Sequence, residues 1–268
     1  MMLIKLKGKY LMIAQVYVDD IVFYSTAESL KNEFVKFMEA EFEMSMIGQL
    51  NYFLGLHVKQ LANGVFLSQK KYAQNMVEKF GLRDSKRVRT PLGQQDKLSK
   101  MMMERHVGVC ARFQSTPKES HLKAAKRILR YVKGTAELGL WYLNRSGLDL
   151  IGFTYSDWAD CCDDRKSTTS GCFYIGDNIV NWCSKKQNSI SLSTAEAEYI
   201  AAGSCCAQLL WIRQMLHDYG IGQDSLTLFC DNTSAINISK NPFNMEEQST
   251  STYDTILFET WWKIECVI

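Results

Sequence analysis

Two adjacent carboxylates, Asp19 and Asp20, follow Tyr17-Val18 inside an apolar, β-rich stretch, LMIAQVYVDDIVFY. Side by side they repel and lose hydration, a cost that a divalent cation removes. An ion carrying a nucleoside triphosphate is a natural user of such a hairpin tip. Aspartate is also common in turns, so on the pair alone a polar turn and a metal site both stand. Further along, Asp157 and Asp231 each close a β-rich run, and Glu196 and Glu198 stand at the start of a helical one. Capping separates the two glutamates. Ser193 with Glu196 three residues on has capping-box spacing, whereas Glu198 falls about 200° round the helix from Glu196 at ~100° per residue and has no capping duty. Asp160, Asp163 and Asp164 read as solvated loop acids without a role.

The elements that must hold these residues follow from periodicity and punctuation. Residues 11 to 24 predict a strand hairpin around Asp19-Asp20. Ser25 with Glu28 predicts a capped helix, carried to about Phe42 by Leu30, Phe34, Phe37 and Met38. Asn63-Gly64 marks a second hairpin, because Asn-Gly suits the positive φ angles of a type I′ turn. Tyr72, Met76 and Phe80 give another helix, closed by Gly81. Residues 83 to 120, with Pro91, Pro117 and the run Met101-Met102-Met103, read as a linker or damaged segment. The helix from about His121 to Lys133 carries Lys123, Lys126, Arg127, Arg130 and Lys133 opposite Ala125, Ile128, Leu129 and Val132. The second half runs strand, strand, strand, helix, strand, helix. LDLIGFTYS ends at Asp157, a hairpin turns at Gly176-Asp177-Asn178, a long helix spans about Thr194 to Leu216, LTLFC ends at Asp231, and a helix restarts over Asn232 to Ile238. That order is an α/β layout.

QVYVDDIVFYST is very similar to the palm motif of copia-type LTR-retrotransposon reverse transcriptases. The likeness continues through LNYFLGLHVKQLANGVFLSQKKYAQNMVEKFGL, ARFQSTPKESHLKAAKRILRYVKGT, YSDWADCCDDRKSTTSGCFYI, SKKQNSISLSTAEAEYIAA and LFCDNTSAI, in the family's order and over most of the chain. The resemblance implies an α/β chain: a partial reverse-transcriptase palm of hairpins and helices, then a ribonuclease H-like mixed sheet flanked by helices. It divides the sequence into residues 1–82 (C-terminal palm), 83–145 (a connection segment, internally deleted), 146–240 (ribonuclease H-like) and 241–268 (an aberrant tail). It further implies hydrolysis of RNA in RNA–DNA hybrids with Mg2+ or Mn2+. Asp157, Glu198 and Asp231 are then the catalytic metal ligands, and Asp19 and Asp20 are metal ligands of the palm. Lys123, Arg127 and Arg130 would lie against the phosphates of a hybrid or other nucleic acid, although a solvated helix face explains such a stripe equally well. Trp141, Trp158 and Trp182 are core residues or base-stacking platforms. Other parts of the polyprotein are further expected partners.

Three departures from the family pattern bear on activity. The chain starts just upstream of Asp19-Asp20, while the family has a further catalytic aspartate and the fingers earlier, so polymerisation by this chain alone is not expected. Only Met101 to Val107 bridges the place where the family has a helical block. After NPF the family reads Thr-Lys-His-Ile-Asp, whose aspartate is a fourth metal ligand, but this chain reads EQSTSTYDTILFETWWKIE. Codons allowed for that peptide, read from the third base, spell the family segment. This points to a frameshift near Met245 that erases the aspartate at about Ser251-Thr252 and leaves Asp254 out of register. Hydrolysis is therefore expected to be weak or lost. A non-catalytic nucleic-acid-binding remnant and an unstable pseudogene product are the alternatives.

Composition sets the outer bounds. Apolar residues make up 46% of 268 and charged residues 22%, which excludes a disordered or fibrous chain. A net charge of +2 is no signature of a nucleic-acid or membrane binder by itself. The nine cysteines are odd in number and never form Cys-x-x-Cys, so they read as reduced core residues and not as a disulfide framework or a zinc site. There is no secretory signal and no apolar run near the ~18 residues of a membrane span. An intracellular protein, cytoplasmic or nuclear and not secreted, is expected.

Overall fold

A computed structural model describes residues 2–91, 115, 118–159 and 164–240 and the backbone of 262–266. It divides into two units, Met1–Leu54 and Gly55–Ile268.

In the first unit, β1 (Met2–Lys7), β2 (Tyr10–Tyr17) and β3 (Asp20–Ser25) form an antiparallel sheet, followed by α1 (Glu28–Glu41) and the short β4 (Tyr52–Phe53). Met12 and Ala14 alternate onto the buried face of β2, and Leu30 of α1 is buried. Phe23 of β3 meets Phe34 of α1 edge to face at 5.2 Å between centroids. The capping box predicted at Ser25 does not form. Ser25 Oγ bonds both the N–H and the carbonyl of Ala27, and α1 starts without a side-chain cap. Thr26 is held by Leu11 instead, its Oγ1 accepting from the Leu11 N–H at 2.8 Å. The polar pair at this junction ties the sheet to the chain entering the helix, which takes both side chains away from capping.

In the second unit, β5 (Leu56–Leu61) and β6 (Gly64–Ser68) form the hairpin expected near Asn63-Gly64, and β7 (Gly139–Leu143) pairs antiparallel to β6. The reason for the glycine differs from expectation. The turn is Ala62-Asn63, with Leu61 opposite Gly64, and neither Asn63 nor Gly64 has a positive φ. A Cβ on Gly64 would sit 2.2 Å from the Tyr142 carbonyl oxygen, so close approach of β7 excludes a side chain. Helix α2 (Lys70–Lys79) ends as predicted, with Gly81 at φ +65° and the Leu82 N–H donating to the Val77 carbonyl. It packs against α3 (Glu119–Thr135).

The larger sheet has the order β10-β9-β8-β11-β12, with β8 (Leu150–Asp157), β9 (Thr168–Ile175), β10 (Asn178–Lys186), β11 (Leu226–Cys230) and β12 (Trp262–Cys266). The first three form an antiparallel meander, and β11 runs parallel to both β8 and β12. The expected mixed sheet is therefore present, and its fifth strand comes from residues 262–266 of the tail. Helix α4 (Thr194–Asp218) lies across β8, β9 and β11, and α5 (Thr233–Lys240) packs on α4. Leu150, Phe173, Leu209, Ile212, Leu226 and Leu228 fill the space between sheet and α4. Gly152 makes room for Leu209, whose Cδ1 lies 2.9 Å from where a Cβ would stand.

Cys205 and Cys206 are buried on the sheet side of α4. The Cys205 thiol is pushed up by its hydrogen bond with Cys183 and by burial, and the Cys206 thiol by burial. Both are inert core thiols. Among the described residues no helix is long and apolar enough to cross a membrane. Replacing the fully buried Leu209 by alanine is expected to destabilise the second unit by about 2–5 kcal/mol, read as a lower urea midpoint. A shift below about 1 kcal/mol would show that α4 is not seated on this core.

Candidate functional site

The site lies where β8, β11 and the start of α4 meet. Strand β8 pairs with β11 only over Ile151 to Phe153. Beyond that the outer edge of β8 is open, and the Ser156 N–H donates to Glu198 Oε1 at 2.8 Å. Glu198 thereby becomes a buried carboxylate, 5% exposed, one residue from Asp157 in the strand it grips. Asp157, 3% exposed, ends β8 opposite Thr168, and its Oδ1 accepts the Thr168 N–H. Asp231 stands exposed immediately after β11, and Asn232 Oδ1 then accepts the Ala235 N–H at 3.0 Å to begin α5.

The separation of the two glutamates by capping matches the geometry. Ser193 Oγ accepts the Glu196 N–H, and Glu196 Oε2 turns back to the Leu192 N–H at 2.6 Å, while Glu198 points into the sheet. One carboxylate oxygen each of Glu198 and Asp231 and the Cys230 sulfur lie within 4.8 Å of one another. Asp157 is outside that group. Anionic oxygens that close, one of them desolvated, suit a hard divalent cation better than they suit each other.

A residue that no motif singled out organises the site. Gln187, 5% exposed, donates from Nε2 to Ser156 Oγ (3.2 Å), Thr169 Oγ1 (3.2 Å) and the Ala197 carbonyl (2.9 Å), and its Oε1 accepts from Ser191 Oγ (3.0 Å). One amide thus links β8, β9, the loop before α4 and the first turn of α4. In sequence it is one polar residue among many in SKKQNSIS, with no periodicity to flag it. Beside it, the Trp158 indole N–H donates to the Ser191 carbonyl at 3.0 Å. That bond fixes Trp158 to the loop. Trp141 faces Phe66 across β6 and β7, and Trp182 lines an apolar groove of about 510 Å³ on the other face of the sheet.

The remaining predicted residues fall elsewhere. Asp19 and Asp20 are exposed at a two-residue hairpin tip, where Tyr17 pairs with Asp20 and Val18 has φ +50°, an unusual angle for a β-branched residue. Lys123 is exposed and ion-paired with Glu119 at 3.0 Å. Arg127 is half-buried, one terminal nitrogen donating to Thr90 Oγ1 at 2.9 Å, and Arg130 is half-buried beside it on α3. Lys133 donates to the carbonyls of Arg83 and Ser85. Two of the five basic residues of the stripe, Arg127 and Lys133, therefore fasten residues 83–90 to α3. Asp164 is not simply solvated, for it pairs with Lys186 at 2.7 Å. Asp160, Asp163, Met245, Ser251, Thr252 and Asp254 lie outside the described residues.

Comparison with known proteins places the chain among transposon products. Residues 1–94 match the reverse transcriptase (RNA-dependent DNA polymerase) family. The chain is 31% identical over 262 residues to the retrovirus-related Pol polyprotein from transposon TNT 1-94 of Nicotiana tabacum, covering 84% of this chain and 20% of that polyprotein. It is 33% identical over 220 residues to an uncharacterized mitochondrial protein of Arabidopsis thaliana, covering 73% of this chain and 92% of that one. A solved ribonuclease H1 from Halobacterium salinarum aligns with a TM-score of 0.28 at 15% identity, over 44% of this chain and 85% of that structure.

Gln187→Ala removes the partners of several buried polar groups at once. With about 1–3 kcal/mol for each group left unsatisfied, the variant is expected to lose at least about 2 kcal/mol in urea denaturation. A loss under about 0.5 kcal/mol would show that water replaces the amide.

Proposed function

The chain belongs to the copia-type retrotransposon Pol polyproteins, and on that premise we propose that residues 146–240, within its second unit, carry a ribonuclease H-type site that hydrolyses RNA in RNA–DNA hybrids. The observation that carries this reading is the buried Glu198 gripping β8 beside Asp157, with an oxygen close to Asp231. Carboxylates at two neighbouring strand ends and on the facing helix suit a phosphodiester hydrolase of this kind, because they can hold the cations that offset the charge of the anionic scissile phosphate. As the chain spans about a fifth of the tobacco polyprotein, this activity is proposed for the fragment, not transferred whole.

The donor set fits Mg2+ or Mn2+: carboxylate oxygens, anionic, partly desolvated and opening to solvent through the exposed Asp231. Asp157, Glu198 and Asp231 would hold the ions. Such ions, when bound, supply a polarised water and neutralise the leaving oxygen. The protein's own contribution is positional. The Ser156 N–H fixes the Glu198 carboxylate, the Thr168 N–H fixes that of Asp157, and Gln187 keeps both strands and the helix in register. For Asp19 and Asp20 we keep the metal-binding role of a polymerase hairpin within the longer polyprotein. Lys123, with Arg127 and Arg130 behind it, would meet the nucleic-acid backbone.

The test is cleavage of an end-labelled RNA–DNA hybrid by the full chain with Mg2+, beside Asp157→Asn and Glu198→Gln. Cuts confined to the RNA strand, abolished in both variants and by chelation, are expected. Absence of cuts by a folded wild-type protein, with salt-sensitive hybrid binding intact, would replace this reading by a non-catalytic binding remnant.

A further inference from the structure

The end of β11 sets a sulfur beside the two carboxylates. Cys230 is 1% exposed, and its Sγ, an oxygen of Glu198 and an oxygen of Asp231 lie within 4.8 Å of one another. We propose that Glu198, Cys230 and Asp231 form a binding site for a thiophilic divalent cation of the zinc class, which occupies the carboxylates at the expense of magnesium. The proposal rests on the reading of Glu198 and Asp231 as metal ligands.

The donor types carry the argument. Magnesium takes oxygen ligands in near-octahedral geometry and gains nothing from a sulfur. Zinc and its congeners accept mixed sulfur and oxygen donors in a tetrahedron, at about 2.3 Å to sulfur and about 2.0–2.2 Å to oxygen. Ligand atoms around one such ion stand roughly 3–4 Å apart at those bond lengths, so a group already within 4.8 Å closes by small side-chain adjustments.

Two of the three donors are fixed. Glu198 is held by the Ser156 N–H at 2.8 Å, and Cys230 is the last residue of a paired strand, its sulfur 3.9 Å from the Asn232 carbonyl. Asp231, the exposed one, is the side from which an ion enters, and three protein donors leave a fourth position for water. On ligation the thiol proton passes to solvent. Affinity for such mixed sites rises along the transition series to copper and falls again at zinc.

Cobalt(II) is the probe, because a thiolate ligand gives it an intense ultraviolet charge-transfer band. Titrating Co2+ into the full chain under reducing conditions is expected to raise that band, to bleach it on adding equimolar Zn2+ and to leave it unchanged with equimolar Mg2+. Cys230→Ser is expected to lose it. No band in the wild type, or a band that persists in Cys230→Ser, overturns the site, since nine cysteines are present and another would then be the ligand. Should Cys230→Ser fail to fold by circular dichroism, Asp231→Asn decides, with Co2+ affinity falling by about tenfold or more and an unchanged affinity overturning the proposal. The nuclease reading is scored apart. Mg2+-dependent cleavage without the band leaves the function and removes the site, and the Cys230-dependent band without cleavage does the reverse.

Discussion

A carboxyl group held inside the protein, that of Glu198, is the constraint around which the second unit is arranged. Burying an ionised carboxylate is costly unless hydrogen bonds and a counter-charge receive it. Glu198 is received on one side by the Ser156 N–H. For that bond to exist, the edge of β8 has to be released from β11 past Phe153, and α4 has to lie close to the sheet. The closeness is written in small residues. Ala197, Ala201, Ala202 and Cys205 face inward from α4, and Gly152 and Gly171 leave space on the sheet for Leu209 and Cys205. A larger residue at any of these positions would lift the helix and draw the carboxylate off its donor.

Around this contact the hydrogen bonds are redundant in direction but not in number. Gln187 reaches strand, strand and helix from one amide. Ser191 and Trp158 hold the loop that leads into α4. The Ala159 N–H, at a residue with φ +51°, donates to the buried Ser167 Oγ at 3.0 Å. The Ser156 and Thr168 N–H groups that hold Glu198 and Asp157 are uncharged, so they orient the carboxylates without placing a cation of their own there.

Much of this was legible in the sequence because it depends on local rules. Strand ends at Asp157 and Asp231, the long helix from Thr194 and the assignment of Glu196 to the cap each follow from spacing within a few residues. What depends on meeting across the chain was not legible. Gly64 looks like a turn glycine, yet it is there because β7, far along the chain, passes too close for a side chain. Ser25 looks like a cap, yet its hydroxyl is used by Ala27. The stripe of α3 looks like a solvated basic face, yet Arg127 and Lys133 within it also bond Thr90 and the Arg83 and Ser85 carbonyls. Gln187 has no local signature, because its four partners come from separate elements.

The strand order also sets the sequence of events by which the protein forms. Pairing of β8, β9 and β10 is local, joined by short connections, and closes with little loss of chain entropy. Pairing of β8 with β11 is parallel and must wait for the whole of α4 to be spanned. Asp157 belongs to the early meander, whereas Asp231 arrives with the late strand and Glu198 with the helix that connects them. The carboxylates therefore come together only once β11 has paired with β8, so a chain halted short of that step has its meander but not its site.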